Sequence, residues 1–210
     1  RDPHPSIDSP IARLICDYPI KSHVVISHIR QANVGGVRLA NTHPFTREMW
    51  GRPWCYAHNG QLSDWQHLTL GSYTPVGNTD SEHAFCWLLG EVRRVFPVPP
   101  DDPEVLWDYV HQLCEQLRAL GVFNMLLSDG RYLYTFCSTK LAHITRRAPF
   151  GEAELSDAEM TVNFAEHTTP DDIVSVIATE PLTHNEAWQR MVPGELLVWR
   201  DGEIQASYGL

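Results

Sequence analysis

The sequence lacks any apolar run close to the roughly 20 residues that a membrane-spanning helix needs. Positive charge is also scarce, because 16 Lys and Arg stand against 26 Asp and Glu and the formal net charge is −10. An acidic balance of this size disfavours binding to phosphate backbones or acidic membranes. We therefore expect no nucleic acid and no membrane among the partners. Residues 1–5 show no signal-peptide pattern.

Patterns of metal and serine chemistry are absent as well. No H-E-x-x-H zinc pattern occurs, although His28, His43 and His58 lie close to other polar residues. A buried histidine bonded to backbone is the commoner role for such residues, so we expect no metal, and no cofactor is predicted. The sequence also has no G-x-S-x-G elbow, which disfavours a Ser-His-Asp triad.

Cysteine is scarce and scattered. The chain has five, an odd number, and no two form a C-x-x-C pair. This usage indicates a reducing cytoplasm and argues against a disulfide framework or a metal knuckle. Each cysteine lies within a predicted helix or strand or beside apolar neighbours, so a buried, inert thiol is expected in each case. The five are Cys16, Cys55, Cys86, Cys114 and Cys137.

The material for a packed core is present. Of the 210 residues, 43% are hydrophobic and 10% aromatic, while 20% are charged. This composition is typical of a globular protein and not of a disordered one. No repeat, linker or composition shift divides the chain. We expect one domain over residues 1–210.

Apolar residues at helical spacing predict three helices. The first follows Ser9 and Pro10, which suit an N-cap and the first helical position. The second starts after Thr79, with Glu82 at the third position of a capping box. The third runs from about Asp102 to a stop at Gly121.

Apolar runs rich in β-branched and aromatic residues predict strands on both sides of the second and third helices. Because strands precede and follow the helices, segregated α and β layers are expected. The segment 34–45 is turn-rich and should form a shaped loop, and the acidic stretch 151–169 should be an irregular surface excursion. The predicted strands are 24–26, 54–57, 123–127, 132–136, a strand near 144, 173–178, 195–199 and 203–204.

Three short polar motifs stand at predicted strand ends or helix starts: S-H-I-R-Q-A-N at 27–33, A-H-N-G-Q-L at 57–62 and N-T-D-S-E at 78–82. In this order they resemble class II glutamine amidotransferase domains of the N-terminal-nucleophile superfamily, and most of all the stand-alone bacterial members. The N-T-H-P-F segment at 41–45 matches the family's N-x-H-P loop, and 176–182 with 192–195 resemble the end of the domain. The resemblance implies an α+β fold, a four-layer α/β/β/α sandwich of two antiparallel sheets between helix layers.

The resemblance also assigns roles to individual residues. Arg30 can hold the α-carboxylate of glutamine in a bidentate fork, and Asp80 can pair with its α-ammonium group. The Asn59 side-chain amide and the Gly60 backbone N–H are the implied donors to the oxyanion that forms when the amide is attacked. The remaining members of the implied substrate-binding set are Gln31, Asn33, His58 and Thr79.

Each of these assignments has a purely structural alternative. Arg30 could form a surface or inter-strand ion pair, as arginines at strand ends often do. Asp80 could serve only as an acidic residue in the first turn of a helix that Thr79 caps. Asn59 and Gly60 could form an ordinary hairpin turn.

The family's nucleophile is an N-terminal cysteine whose own α-amino group serves as the general base. This chain begins with Arg1, and none of its five cysteines fits that position. We therefore expect a segment upstream of Arg1 that carries the cysteine, and we expect the chain alone to be inert.

Glutamine is the implied substrate, with hydrolysis through a cysteine thioester, and the resemblance allows for a partner protein that accepts ammonia. Two alternatives stay open at the level of sequence. One is a γ-glutamyl hydrolase acting on a γ-glutamyl peptide or amine. The other is a non-catalytic relative that binds glutamine.

Overall fold

The computed structural model describes residues 2, 9–18, 22–29, 38–157 and 160–209, except for the side chain of Cys16. Within these residues the chain forms α helices, short 3-10 turns and β-strands. No helix in the described ranges is both long and apolar enough to cross a membrane.

The three predicted helices are present, and each begins after a side chain that caps it. Ser9 Oγ accepts a hydrogen bond from a backbone N–H of the first turn, as do Thr79 Oγ1 and Asp102 Oδ1 in their helices. Such caps satisfy donors that a helix N-terminus leaves without an intrahelical partner. The helices are α1 (Pro10–Asp17), α2 (Asp80–Val95) and α3 (Pro103–Arg118).

The strands form three antiparallel groups. A six-stranded sheet has the order β1-β2-β3-β4-β10-β11, a three-stranded sheet has the order β8-β5-β9, and β6 pairs with β7. The strands are β1 (Phe45–Met49), β2 (Arg52–Leu62), β3 (Gly121–Ser128), β4 (Leu133–Phe136), β5 (Ala142–Arg147), β6 (Glu152–Glu154), β7 (Thr161–Asn163), β8 (Ile173–Ala178), β9 (Gln189–Arg190), β10 (Leu196–Arg200) and β11 (Glu203–Tyr208).

The main core lies between the six-stranded sheet and helices α2 and α3. Alternate residues of the central strands face the helices, and Tyr56 of β2 stacks on Phe85 of α2 with ring centroids 4.8 Å apart. Both rings are fully buried, and burial of a large apolar side chain stabilises the fold by about 1.5–3 kcal/mol. Because side chains alternate along a strand, the neighbours of Tyr56 face the opposite side of the sheet.

A second, smaller core lies on that opposite side. Leu197 and Trp199 of β10 pack there with Leu141 and Met191, and Ile177 of the three-stranded sheet lies against them. The order of layers is therefore helices, six-stranded sheet, three-stranded sheet. The predicted α+β class with antiparallel sheets is confirmed. The second helix layer of the four-layer sandwich, beyond the three-stranded sheet, stays a prediction.

Three predictions about strands are corrected. Residues 24–26 do not form a strand, because β-branched residues form one only where a neighbouring chain supplies a ladder, and none of the described residues pairs with them. Val25 and Ile29 in this extended segment are 73% and 77% exposed. The strand predicted around 54–57, with residues 58–60 at its end, is present but continues to Leu62.

The third correction concerns the stretch 151–169. It is not irregular throughout, since it contains β6, β7 and a 3-10 turn at Phe164–Glu166. Its strands have three residues each, too few for alternation to be legible in the sequence. Strand β1 was also unpredicted, because its two buried residues, Phe45 and Met49, flank a polar centre.

Candidate active site

Two of the predicted motifs meet directly. Asp80, at the start of α2, accepts a hydrogen bond through Oδ2 from the backbone N–H of Leu62 at 2.8 Å. The next residue, Ser81, places its Oγ 2.9 Å from Nδ1 of His58. These two hydrogen bonds join the start of α2 to the strand that carries Asn59 and Gly60.

The remaining motifs join the same assembly. Asn41 and Asn78 form a reciprocal pair: the Asn41 amide donates to Asn78 Oδ1 at 3.0 Å, and the Asn78 backbone N–H donates to Asn41 Oδ1 at 3.1 Å. The ring of His43 lies 4.1 Å from that of His28 and 4.5 Å from that of Phe45, centroid to centroid. The described part of the first motif therefore packs on the segment 41–45, which is bonded to the third motif.

Arg30, Gln31 and Asn33 lie outside the described residues. Their predicted part in substrate binding stays a prediction. The described candidates are His58, Asn59, Gly60, Thr79 and Asp80.

His58 is buried, and both of its ring nitrogens have hydrogen-bond partners. Nε2 lies 3.0 Å from the carbonyl oxygen of Val122, which can only accept, so Nε2 carries the proton. When the ring is neutral, Nδ1 is an acceptor 2.9 Å from the Ser81 hydroxyl, and the same hydroxyl lies 3.3 Å from Oδ1 of Asp80, its other acceptor. Burial lowers the pKa of His58, although the Val122 carbonyl and Asp80 favour the charged form. The neutral ring uses both nitrogens within the protein, so it positions β2 against α2, and a direct contact with substrate stays a prediction.

Asn59 lies on the face of β2 opposite to His58, away from the helices. Its side chain is exposed, and its amide has no hydrogen-bond partner among the described residues. A side-chain amide with a free N–H donor on a rigid strand is well suited to stabilise developing negative charge on a ligand oxygen.

Gly60 occupies a position where no other residue fits. Its φ is +149°, and a Cβ there would lie 1.9 Å from the carbonyl oxygen of Val122 on β3. Gly60 pairs with Phe123 in the β2–β3 ladder, so the two residues are part of continuous strands and do not form a hairpin turn. The glycine therefore permits a close backbone approach that a side chain would block.

Asp80 acts at least as a structural residue. Oδ1 accepts from the backbone N–H of Ser81 at 2.8 Å, while Oδ2 accepts from Leu62. Oδ1 also lies 3.3 Å from the Ser81 hydroxyl. Oδ2 has a second lone pair, so the group keeps acceptor capacity for a ligand ammonium. Thr79 is the N-cap and accepts from the Glu82 N–H at 3.2 Å. Contacts of Thr79 and Asp80 with substrate stay predictions.

Glu82 does not complete the capping box that the sequence predicts. Its carboxylate is 1% exposed and turns to Arg47, with Oε1 2.6 Å from a guanidinium nitrogen. It also accepts from the backbone N–H groups of Val76 and Gly77 at 3.1 and 2.6 Å. Glu82 thus fixes the loop that leads into α2. The role of Arg47 is not predictable from the sequence, because one arginine in a polar strand carries no signal of a partner 35 residues away.

The described thiols do not supply a nucleophile to this site. Burial raises the pKa of Cys86, Cys114 and Cys137, which favours the unreactive thiol over the thiolate. Cys55 lies four residues from Asn59 on the same strand, a distance of roughly 13 Å. No group of three or more His, Cys, Asp or Glu that could hold a metal ion occurs in the described part of the chain.

Comparisons with known proteins agree with the motif geometry. The model of the class-II glutamine amidotransferase family matches residues 1–209. Over 200 residues the chain is 57% identical to the Escherichia coli K12 protein named "Putative glutamine amidotransferase YafJ", covering 95% of this chain and 77% of that protein. It is 39% identical over 203 residues to a Haemophilus influenzae protein of the same description, covering 97% and 69%.

A solved structure is similar along most of the chain. The crystal structure of a predicted glutamine amidotransferase from Pseudomonas aeruginosa PA01 is 60% identical in sequence, with a TM-score of 0.77. The match covers 85% of this chain and 70% of that one. The family match, the sequence identities and this shared fold show that the chain belongs to the class II glutamine amidotransferases.

Proposed function

We propose that the intact protein hydrolyses the side-chain amide of glutamine, with the chain described above supplying the oxyanion site and the grip on the substrate. One observation carries the proposal: β2 presents the unpartnered Asn59 amide beside Gly60, while the His58–Ser81 and Leu62–Asp80 contacts hold this strand against the start of α2. Family membership supplies the reaction class.

In this proposal a cysteine thiolate attacks the amide carbon of glutamine. The carbonyl oxygen gains negative charge and is met by the Asn59 amide and the Gly60 backbone N–H. The C–N bond then breaks, ammonia leaves with the proton that the thiol gave up, and a glutamyl thioester forms. Water cleaves the thioester to glutamate and restores the thiol. The cysteine is proposed to lie outside these 210 residues, because the described thiols are buried or distant from Asn59.

The charged end of glutamine requires its own contacts, since a neutral primary amide reacts slowly unless it is held in place. We propose Arg30, with Gln31 and Asn33 beside it, for the α-carboxylate and Asp80 for the α-ammonium group. The hydrogen bond from the Leu62 N–H to Asp80 supports this role, because it joins Asp80 to the end of the strand that bears the proposed oxyanion donors. A protein that accepts the ammonia is a further proposed partner.

The test measures ammonia release by the protein expressed from its complete gene, with glutamine and a panel of γ-glutamyl amines and peptides as substrates. The proposal expects turnover of glutamine that disappears when the N-terminal cysteine is changed to Ser. Faster release of an amine from a γ-glutamyl amine would replace glutamine as the substrate and assign a γ-glutamyl hydrolase. Glutamine binding without any turnover would refute the enzyme and assign a binding protein.

A further inference from the structure

Asn124 is a polar side chain in the centre of an otherwise apolar strand, V-F-N-M-L-L at 122–127. It is 3% exposed and lies directly opposite Asn59 in the β2–β3 ladder. A buried amide must find partners for both its oxygen and its nitrogen, or it destabilises the fold. Its partners are therefore informative.

The amide oxygen of Asn124 organises the loop after β4. Oδ1 accepts hydrogen bonds from three successive backbone N–H groups, those of Ser138 and Thr139 at 3.0 Å and of Lys140 at 3.2 Å. This loop leads from the six-stranded sheet into β5 of the three-stranded sheet. Asn124 thus fixes the point where the chain crosses between the sheets, beside Asn59.

The amide nitrogen of Asn124 holds the candidate site itself. Nδ2 donates to the backbone carbonyl oxygen of Asn59 at 3.1 Å and to Thr139 Oγ1 at 3.0 Å. The Asn59 carbonyl and the Gly60 N–H belong to one peptide unit, which is planar and trans. In a trans peptide the two groups point in opposite directions. Holding the carbonyl towards β3 therefore directs the Gly60 N–H away from β3.

The edge of β2 that faces away from β3 is not covered by any described strand beside Gly60. Strand β1 pairs with β2 only as far as Tyr56, so among the described strands nothing covers the β2 edge beside Gly60. The β2–β3 ladder restrains this peptide unit, but Gly60 has no side chain that could add a further restraint, so the bond from the Asn124 amide is the additional one. A hydrogen bond to the carbonyl also polarises the peptide and strengthens its N–H as a donor.

We propose that Asn124 is a positioning residue that orients the Gly60 N–H towards the oxyanion and polarises it. The inference rests on the proposed function, since it assigns a purpose to the Asn59–Gly60 peptide in catalysis. It adds a residue that carries no motif in the sequence.

The test compares Asn124→Asp with Thr139→Val in the intact protein. The Asp variant has the same shape and keeps an acceptor for the three loop N–H groups, but it loses the donor to the Asn59 carbonyl. The Val variant removes only the other partner of that donor. We expect Asn124→Asp to lower kcat for glutamine on the order of 10- to 100-fold with KM changed less than about threefold. Thr139→Val should keep kcat within about threefold of the wild-type value.

A second measurement does not depend on turnover. The amide proton of Gly60, followed by NMR, should shift upfield in Asn124→Asp and stay in place in Thr139→Val, because hydrogen bonding to the carbonyl deshields the N–H of the same peptide unit. An unmoved Gly60 signal would overturn the proposal. So would equal losses of kcat in the two variants.

Folding failures are also decisive. If Asn124→Asp does not fold, Asn124→Ser takes its place, since the shorter side chain leaves room for water to solvate the loop N–H groups. If neither folds, Asn124 is needed for the fold and the positioning role is refuted. Wild-type protein that turns over no γ-glutamyl compound would instead remove the proposed function, and this inference with it. An active wild type with an equally active Asn124→Asp variant would overturn this inference alone.

Discussion

The carboxylate of Asp80 accepts a hydrogen bond at 2.8 Å from the backbone N–H of Leu62, the last residue of β2. This contact joins the start of a helix to the end of the strand that bears Asn59 and Gly60. The structural alternative for Asp80 is thus realised, because the residue holds two backbone N–H groups. A carboxylate with acceptor capacity left over can still bind an ammonium group, so the two roles are compatible.

Replacing Asp80 by Asn separates these roles, because the amide keeps an oxygen acceptor but has no charge. We expect KM for glutamine to rise about tenfold or more, since a charge-assisted contact with the ammonium group is lost. The free energy of unfolding should fall by about 1 kcal/mol. Asp102→Asn is the matched control, because Asp102 caps α3 through the N–H of Glu104. Steady-state kinetics measure KM for both variants, and urea denaturation measures their free energies of unfolding. Equal KM values in the two would remove Asp80 from the substrate site.

Asn59→Ala tests the proposed oxyanion donor. The side chain is exposed and has no partner among the described residues, so its loss should change the midpoint of thermal unfolding little. We expect kcat to fall on the order of 10²- to 10³-fold, because the amide would act only once charge has developed on the substrate oxygen. Gln61→Ala is the control, since this exposed residue lies two positions further along the same face of β2. A change confined to KM would contradict the oxyanion role.

The three helices are predictable from the sequence because their starts are encoded locally. Thr79 caps α2 as its position predicted, and Asp102 caps α3. Contacts between residues that are far apart in the chain have no such local signal in the sequence. Glu82 has the sequence of a capping-box residue, but it pairs with Arg47, whose β1 position brings it across the start of α2. In the sequence, Asn124 is simply one polar residue in an apolar strand. The hydrogen-bond partners of its amide become visible only in the packed sheets.

The strand predicted at 24–26 is absent for a related reason, since the sequence does not specify a pairing partner. Its residues have high β-propensity, yet propensity describes how well a side chain fits a pleated, half-buried surface. Among the described residues no strand supplies Val25 with such a surface, and the residue is exposed. Pairing partners decide strands, and a run of β-branched residues does not specify its partner.

Arg30→Lys tests the prediction that Arg30 binds the α-carboxylate of glutamine. Lysine keeps the charge but cannot form the bidentate fork, so we expect kcat/KM for glutamine to fall about tenfold or more. Arg147→Lys is the control, because Arg147 is an exposed residue at the end of β5 that pairs with Glu203. Its kcat/KM should stay at the wild-type value. An unchanged kcat/KM in Arg30→Lys would remove Arg30 from the substrate site.

The stability of the fold should depend on pH through its buried histidines. Burial lowers the pKa of His58 and of His143 below the ordinary value of 6.5, so both are neutral in the folded protein. The unfolded chain takes up these protons at higher pH than the folded one does. Their contribution to the free energy of unfolding is therefore complete above the unfolded pKa, and it is lost as pH falls from there towards the folded pKa.

Each of these two histidines can contribute a slope of at most about 1.4 kcal/mol per pH unit within that window. Urea denaturation at a series of pH values, from about 7.5 down to about 5, measures the slope. We expect His143→Gln to reduce this slope by the contribution of one proton, because Gln has no proton to take up when the chain unfolds. His67→Gln is the control, since His67 is exposed. A slope unaltered by His143→Gln would show that burial of His143 does not couple its protonation to folding.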